Sequence, residues 1–521
     1  MLLMLKKWRR EDIHNFIHLL GLSLIVIGMP FSKVLMSLGT LIGLINVITE
    51  ANFKEYWRNL KSNKVFCWIV IYFGLHFIGL IWTTNYQYAF HDIQIKVTLI
   101  VIPLVLISKP LKEKEFNYIL HLFVATMFVS SLVNFLFYKH WIGNKSYTDI
   151  RDMSLFASHI RYAILIVLAI ILAFTLQKKS TNKFKFIGII FIGWFVFYTI
   201  YSQVLTGFLA LFTGLLVYSI IKTYKYNKIL FFGVITLFLS LLISLFIFLS
   251  PKPIEKIQFK QLPKYTKEGN AYKNDFTLKG LSENQPIFVS ICDKEIKREW
   301  NKLSTIDYYG RDKLNQRIRT TIIRFLTSKN LSKDAFGITQ LNKQEILAIE
   351  NGIANVNETR FGIIARMYGL RYQLQNSKDP NGHSILQRLH YWKNAKEIIQ
   401  QNPIIGVGTG DLQIAFNKQY SVTKSPLIAK NRLRAHNTYL TSWIAFGIFG
   451  LISFIGILYQ FIKDQYKQKS ILGILFGAIM ATTFLIEDTL ETQLGVTIFA
   501  FFIGIFLQRL GSDKSGLPIK E

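Results

Sequence analysis

The sequence predicts an all-α polytopic membrane protein with about twelve transmembrane helices and one large, mainly helical insert between the ninth and tenth. Three observations carry that prediction. Of 521 residues, 51% are hydrophobic and 15% aromatic, with 43 phenylalanines, which is too apolar for a soluble chain of this size. Apolar runs of spanning length recur along the chain, separated by short polar loops. The basic residues fall on every second loop, the pattern of cytoplasmic loops in membrane proteins.

Crossing the hydrocarbon core takes about 20 apolar residues, somewhat fewer where flanking side chains snorkel. Runs meeting that requirement lie at 13–29, 32–48, 65–82, 92–108, 116–138, 156–176, 185–201, 203–221, 229–249, 437–460, 471–486 and 493–509. Lys6, Lys7, Arg9 and Arg10 precede the first run as in a signal peptide, but no small-residue cleavage site follows and a second run does. The first helix is therefore expected to be retained. Fusing either tight pair, at 29–32 or at 201–203, would invert every later segment.

Charge tests the order. With the N-terminus inside, the inside loops carry Lys54, Arg58, Lys61 and Lys64; Lys109, Lys112 and Lys114; Lys178, Lys179, Lys183 and Lys185; Lys222, Lys225 and Lys228; and Lys463, Lys467 and Lys469. The outside loops are nearly uncharged at 83–91, mixed at 138–155, or acidic at Glu487, Asp488 and Glu491. This gives an even number of spans and both ends inside. The formal charge of +30 follows topology, so no nucleic-acid partner is expected. Cys67 and Cys292 give neither metal spacing nor a disulfide framework. The organisation is then a membrane region over 1–249, an external loop domain over 250–435, a second membrane region over 436–510 and a cytoplasmic tail at 511–521.

The loop domain is too long to be a bare connection. Through Pro251, Pro253, Pro263 and Pro286 it reads as extended, and from Lys294 onward the apolar spacing favours helices. The stretch Arg388–Gly450 changes character twice. Leu389, Trp392, Ala395, Ile398 and Ile399 recur at helical spacing until Pro403, Gly406, Gly408 and Gly410 close the helix, and Asp411 is a plausible N-cap for the next. Arg432, Arg434, His436 and Asn437 then stand directly before a membrane-length run.

Polar groups in or beside the membrane are costly unless satisfied, and here they gather at one side. Arg161, beside His159, lies just inside the outer end of the sixth span, and Lys96 about one turn inside the outer end of the fourth. Ser202, Gln203 and Thr206 mark the junction of the seventh and eighth, and the three acids the junction of the last two. A mostly cationic site at the outer face accounts for all of them. Blander readings stand beside it: Lys96 snorkelling outward, Arg161 as an interfacial anchor, the acids following topology or pairing with these cations, the glycines as a plain turn, His383 and His390 incidental.

The helix pattern R-x3-W-x2-A from Arg388, then NPIIGVGTGD, then R-x-R-A-H-N-x-Y-L from Arg432 and GIFG resemble the O-antigen ligase and polymerase superfamily, as does the ending LIEDTLETQLGVTIFAFF. That resemblance implies a GT-C-like membrane fold and a metal-independent, inverting glycosyltransferase with no cofactor. It implies a glycan donor on undecaprenyl pyrophosphate and a lipid A core acceptor, at the periplasmic face of the bacterial inner membrane. It makes His436 the essential histidine, Arg388 the loop arginine before the tryptophan and Arg161 the membrane arginine. Arg434, Asn437, Arg432, Gln203, Trp392 and Lys96 would bind substrate. A polymerase or a protein O-oligosaccharyltransferase would use the same residues on a glycan or protein acceptor. One departure is plain. Many relatives carry an S-R-x-G-like signature at the start of the eighth span, where this chain has Val204, Leu205, Thr206 and Gly207, so pyrophosphate binding must rely on other cations.

The chemistry agrees with the residue types. Attack of a sugar hydroxyl on an anomeric carbon needs a base such as imidazole, and arginine forks stabilise a departing pyrophosphate. A lipid-linked glycan flippase is the alternative from another class. Repeated halves and polar groups near the midplane would mark it, whereas one external insert breaks any symmetry here.

Overall fold

A computed structural model of the chain describes residues 9–145, 147, 150–178, 182–250, 262–278, 280–283, 285–360, 363–376, 380, 381 and 384–508. Lys6, Lys7, Lys179, Pro251, Pro253, His383 and the 511–521 tail lie outside them. The chain divides into two compact units, 1–235 with 388–521, and 236–387. The second is narrower than the 250–435 loop domain read from the sequence, because the chain from Arg388 onward folds with the membrane helices.

The membrane unit begins with α1 (Arg10–Phe31), α2 (Lys33–Glu50), α3 (Phe53–Ser62), α4 (Lys64–Ile78), α5 (Tyr86–Ser108), α6 (Glu113–Tyr138), α7 (His159–Lys178), α8 (Asn182–Ser202) and α9 (Leu205–Tyr226). The helix α10 (Lys228–Leu249) runs across the division between the units and buries none of its residues. Each expected span lies on a helix. Nine helices among the described residues are long and apolar enough to cross a membrane, and three shorter apolar helices fall where the remaining spans were read. The protein is a multi-pass membrane protein with almost no sheet.

Local chemistry sets the helix ends. Both tight pairs are real breaks: extended Ser32 closes α1 and its hydroxyl accepts the Leu35 N–H at 3.4 Å, and Gln203, at φ +54°, separates α8 from α9. The Asn85 side chain caps α5 by accepting the Tyr88 N–H at 3.0 Å, so that helix starts at Tyr86 rather than 92. Lys96 therefore lies almost three turns into the helix and is buried, not snorkelling.

The unit 236–387 holds β1 (Leu281–Ser282), β2 (Gln285–Pro286), α11 (Asp293–Leu303), α12 (Ile318–Ser328), α13 (Ala335–Thr339), α14 (Lys343–Glu350) and α15 (Ile363–Asn376). Its own apolar core forms around Trp300, Tyr308, Ile322, Phe325 and Ile349, all fully buried. The indole of Trp300 donates to the Ile306 carbonyl at 2.8 Å, satisfying its polar atom inside that core. Among the described residues, 262–292 are mostly turns and bends with two two-residue strands, and helices follow from Asp293, where the sequence reading set them from Lys294.

The chain returns through α16 (Ser384–Gln401), α17 (Leu412–Val422), α18 (Thr438–Lys467), α19 (Ile471–Thr483) and α20 (Gln493–Leu507). Apolar on every side, α20 is buried along its length against α5, α7, α18 and α19. In α18 the helical backbone breaks at Phe446 and Gly447. The glycine-rich turn fills the break: Val407 and Gly408 donate to the Ile444 and Ala445 carbonyls at 2.8 and 2.9 Å, and Ile448 donates to Pro403 at 2.9 Å. Those amides are spent on α18, which makes the turn a structural splice and not a phosphate cradle.

Gly447 has φ +62°, and a Cβ there would lie 2.0 Å from the Ile404 carbonyl oxygen. Gly447→Ala is expected to destabilise the protein by about 2 kcal/mol or more. Gly233→Ala on α10, with open space around it, is expected to be neutral. Thermal unfolding in detergent checks both, and equal melting temperatures for the two variants would contradict the splice.

Candidate active site

Between α19 and α20 the chain turns through Glu487, Asp488 and Glu491, and these carboxylates collect the functional residues. Asp488 accepts the backbone N–H groups of His436 and Asn437 at 2.9 and 3.0 Å and the Thr441 hydroxyl at 2.6 Å. It thereby caps α18 from a distant segment, where the helix dipole favours an anion. Asn437 adds the local cap, its side chain accepting the Leu440 N–H at 3.1 Å. Capped from both directions, His436 is held at φ +47°, a left-handed backbone that an L residue adopts only when its surroundings enforce it.

The cations converge on the same turn. Arg388, from α16, pairs with Glu487 and donates Nε–H to the Ile486 carbonyl at 3.0 Å. Arg434 pairs with Glu491 at 2.6 Å and bonds the Tyr88 hydroxyl. Lys96 donates to Glu491 at 2.9 Å and to Asp92, one turn earlier on α5. Arg161 donates to the Asp488 carbonyl at 3.5 Å. The mostly cationic site expected from the sequence is thus charge-balanced: Arg388, Arg434, Lys96 and Arg161 stand among Glu487, Asp488, Glu491 and Asp92. Burial requires this, since an uncompensated buried charge costs several kcal/mol.

His436 occupies the open edge of the cluster. Its ring stacks on Tyr391 at 5.7 Å and its side chain is one-third exposed, while Nδ1 is buried and turned toward Glu487 Oε2 at 3.6 Å. That separation is longer than a hydrogen bond, and it leaves the Nδ1 edge of the ring facing the carboxylate. Burial pushes the Glu487 carboxyl up, and His436 with Arg388 more than offsets it, leaving its pKa below the ordinary glutamate value. Burial opposes ionisation of Glu491 as well, and Lys96 and Arg434 hold it below the ordinary range. A cavity of about 10 Å³ lies among His76, Tyr88, Asp92, Lys96, Arg434 and Glu491, room for about one water.

The other predicted residues fall at different distances. The Trp392 indole donates to the Ala435 carbonyl at 2.9 Å and so positions the segment before His436. Arg432 donates to the Leu427 carbonyl at 3.1 Å and braces its own loop. Gln203 makes no hydrogen bond to the cluster among the described residues. His390 bonds Ser425 at 2.8 Å, apart from the acids. Asp411 stands at the N-cap of α17 as expected, but its side chain binds the Thr84 and Asn85 N–H groups at 2.8 and 2.9 Å rather than its own helix, and ties the glycine turn to the α4–α5 loop. Sequence reasoning missed Asp92, Tyr88, His76 and Tyr391. An acid four residues before an intramembrane lysine was the signal available for Asp92.

Residues 335–455 match the model of the family described as O-antigen ligase. The stretch includes Arg388, Trp392, Arg432, Arg434, His436 and Asn437, so the resemblance read from those motifs is shown there. An uncharacterized protein of Haemophilus influenzae is 31% identical over 23% of this chain. The match covers 34% of that relative's length.

A depressed folded-state pKa at Glu487 means its contribution to stability is complete above the ordinary glutamate value, about 4.3, and is lost as pH falls through the lower folded value. Thermal unfolding followed from about pH 7 to about pH 3 is expected to show a steeper acid loss for the wild type than for Glu487→Gln. Parallel curves would contradict the pairing.

Proposed function

We propose, from the O-antigen ligase match over residues 335–455, that this chain is a glycosyltransferase moving a glycan from undecaprenyl pyrophosphate to a lipid A core sugar. The observation that carries the mechanism is the line from Arg388 through Glu487 to His436, whose side chain is about one-third exposed. Glu487 faces Nδ1 and favours the tautomer protonated there, which leaves Nε2 as the acceptor atom. Nε2 takes the proton of the acceptor hydroxyl as its oxygen bonds to the anomeric carbon. The bond from that carbon to the pyrophosphate oxygen breaks on the opposite face, inverting the centre. The electron pair leaves with undecaprenyl pyrophosphate, and Arg388 and Arg161 stabilise its charge. Asn437 and Trp392 hold the base, while Arg434 and Lys96 fix the acids behind it.

The alternating basic loops support a cytoplasmic N-terminus, which puts this cluster at the periplasmic face of the inner membrane. The acceptor is read from the family match alone. A polymerase or a protein O-oligosaccharyltransferase would use the same base and arginines, and the product identifies which acceptor is used.

Purified protein assayed with polyprenyl-pyrophosphate-linked glycan and lipid A core is expected to lose about 100-fold or more of its transfer rate in His436→Ala, with melting temperature retained. Arg388→Lys is expected to be severely impaired, because a point charge does not replace a planar fork. Wild-type turnover in a folded His436→Ala would sink the base assignment. Transfer to protein or to growing glycan with none to lipid A core would move the acceptor.

A further inference from the structure

The opposite ends of α18 and α20, remote from the acidic turn, enclose a second cavity. It has a volume of about 300 Å³ and lies between the start of α4, the end of α5 and the C-terminal turns of α18 and α20. That volume is at the lower end of the range for small-molecule sites. Ile107 and Leu507 form a buried apolar floor, and Asn59, Asn63 and Gln460 supply amides on the walls.

Two independent features give it a chemical preference. Lys64, Lys463 and Lys467 are exposed on its rim, and no carboxylate pairs with them among the described residues. The one acid on the lining, Asp464, accepts a hydrogen bond from Gln460 at 2.8 Å. Deeper in, Gln508 is buried, and its Oε1 accepts the Leu111 N–H at 2.9 Å. Its Nε2 donors find no partner among the described residues, although a buried polar group left unbonded costs free energy comparable to a lost hydrogen bond. Cations outside, an unsatisfied donor within and an apolar floor at helix ends together fit an anion with an apolar attachment.

We propose that this cavity binds a phosphate-ester anion, the headgroup of an acidic phospholipid. The lysines supply charge, Gln508 donates to a phosphate oxygen, and the chains leave toward the lipid beside α4. Basic pockets between transmembrane helices bind acidic headgroups by this combination. The site shares no residue with the acidic turn, so it stands or falls apart from the glycosyltransferase reading.

The test uses the full-length protein in detergent and native mass spectrometry with phosphatidylglycerol, phosphatidylcholine or inorganic phosphate. The wild type is expected to retain phosphatidylglycerol several-fold over phosphatidylcholine, with the preference falling as salt rises. Lys463→Gln with Lys467→Gln, and separately Gln508→Leu, are expected to reduce it several-fold, while Lys463→Arg with Lys467→Arg keeps it. Displacement by inorganic phosphate at matched concentration would identify the free anion as sufficient. Resistance to phosphate would identify the lipid as the ligand. Equal retention of the two lipids by the wild type, or an unchanged preference in both the glutamine pair and Gln508→Leu, would overturn the proposal.

Discussion

Three carboxylates buried at the head of a fully buried helix constrain everything around them. Glu487, Asp488 and Glu491 cannot be ionised there without partners, and the partners come from α5, α7, α16 and the approach to α18. Each partner is thereby fixed in place: Lys96 inside its helix, Arg434 against Tyr88, Arg388 over Ile486, His436 in a left-handed backbone. Removing one acid would strand a cation as well as free a loop, so the turn acts as a unit. The outcome is a rigid ionic floor with one imidazole at its open edge.

That floor accounts for how little net charge the cluster carries, and it fits the proposed anionic leaving group. Arginines committed to carboxylates are held in one geometry, and a pyrophosphate would meet oriented donors without the entropy loss of ordering long side chains. Electrostatic assistance of this kind depends on direction more than on excess charge. The depressed pKa of Glu487 has the same origin: burial opposes its ionisation, and His436 and Arg388 around it favour the ionised form.

Much of the architecture was legible because the bilayer imposes a length and a charge rule on every span. The tight pairs at 29–32 and 201–203 fall at breaks between helices, at Ser32 and Gln203. Legibility failed where local polarity masked a helix. Tyr86 to His91 is too polar to be counted in a span, yet Asn85 caps it and carries α5 almost two turns further, which moved Lys96 from the interface to the interior. Amphipathic α3 was missed for a similar reason, being no span at all, though it buries Tyr56 and Leu60. At the site, His436, Arg388 and Arg434 stood out by position, but their partners lie far along the chain, and no periodicity links Lys96 to Glu491. The acids stood out as a cluster that either follows topology or pairs with the nearby cations; the pairing holds, and only the fold shows which cation faces which acid.

We propose His436 as the proton acceptor, oriented by Glu487. The pH dependence of single-turnover transfer tests it most directly, measured on wild type, His436→Ala and Glu487→Gln with saturating donor. The wild-type rate should fall toward acid along a limb of one proton, the residual rate of His436→Ala should lack that limb, and Glu487→Gln should shift it. An acid limb unchanged in His436→Ala would contradict the claim and place the titrating group elsewhere.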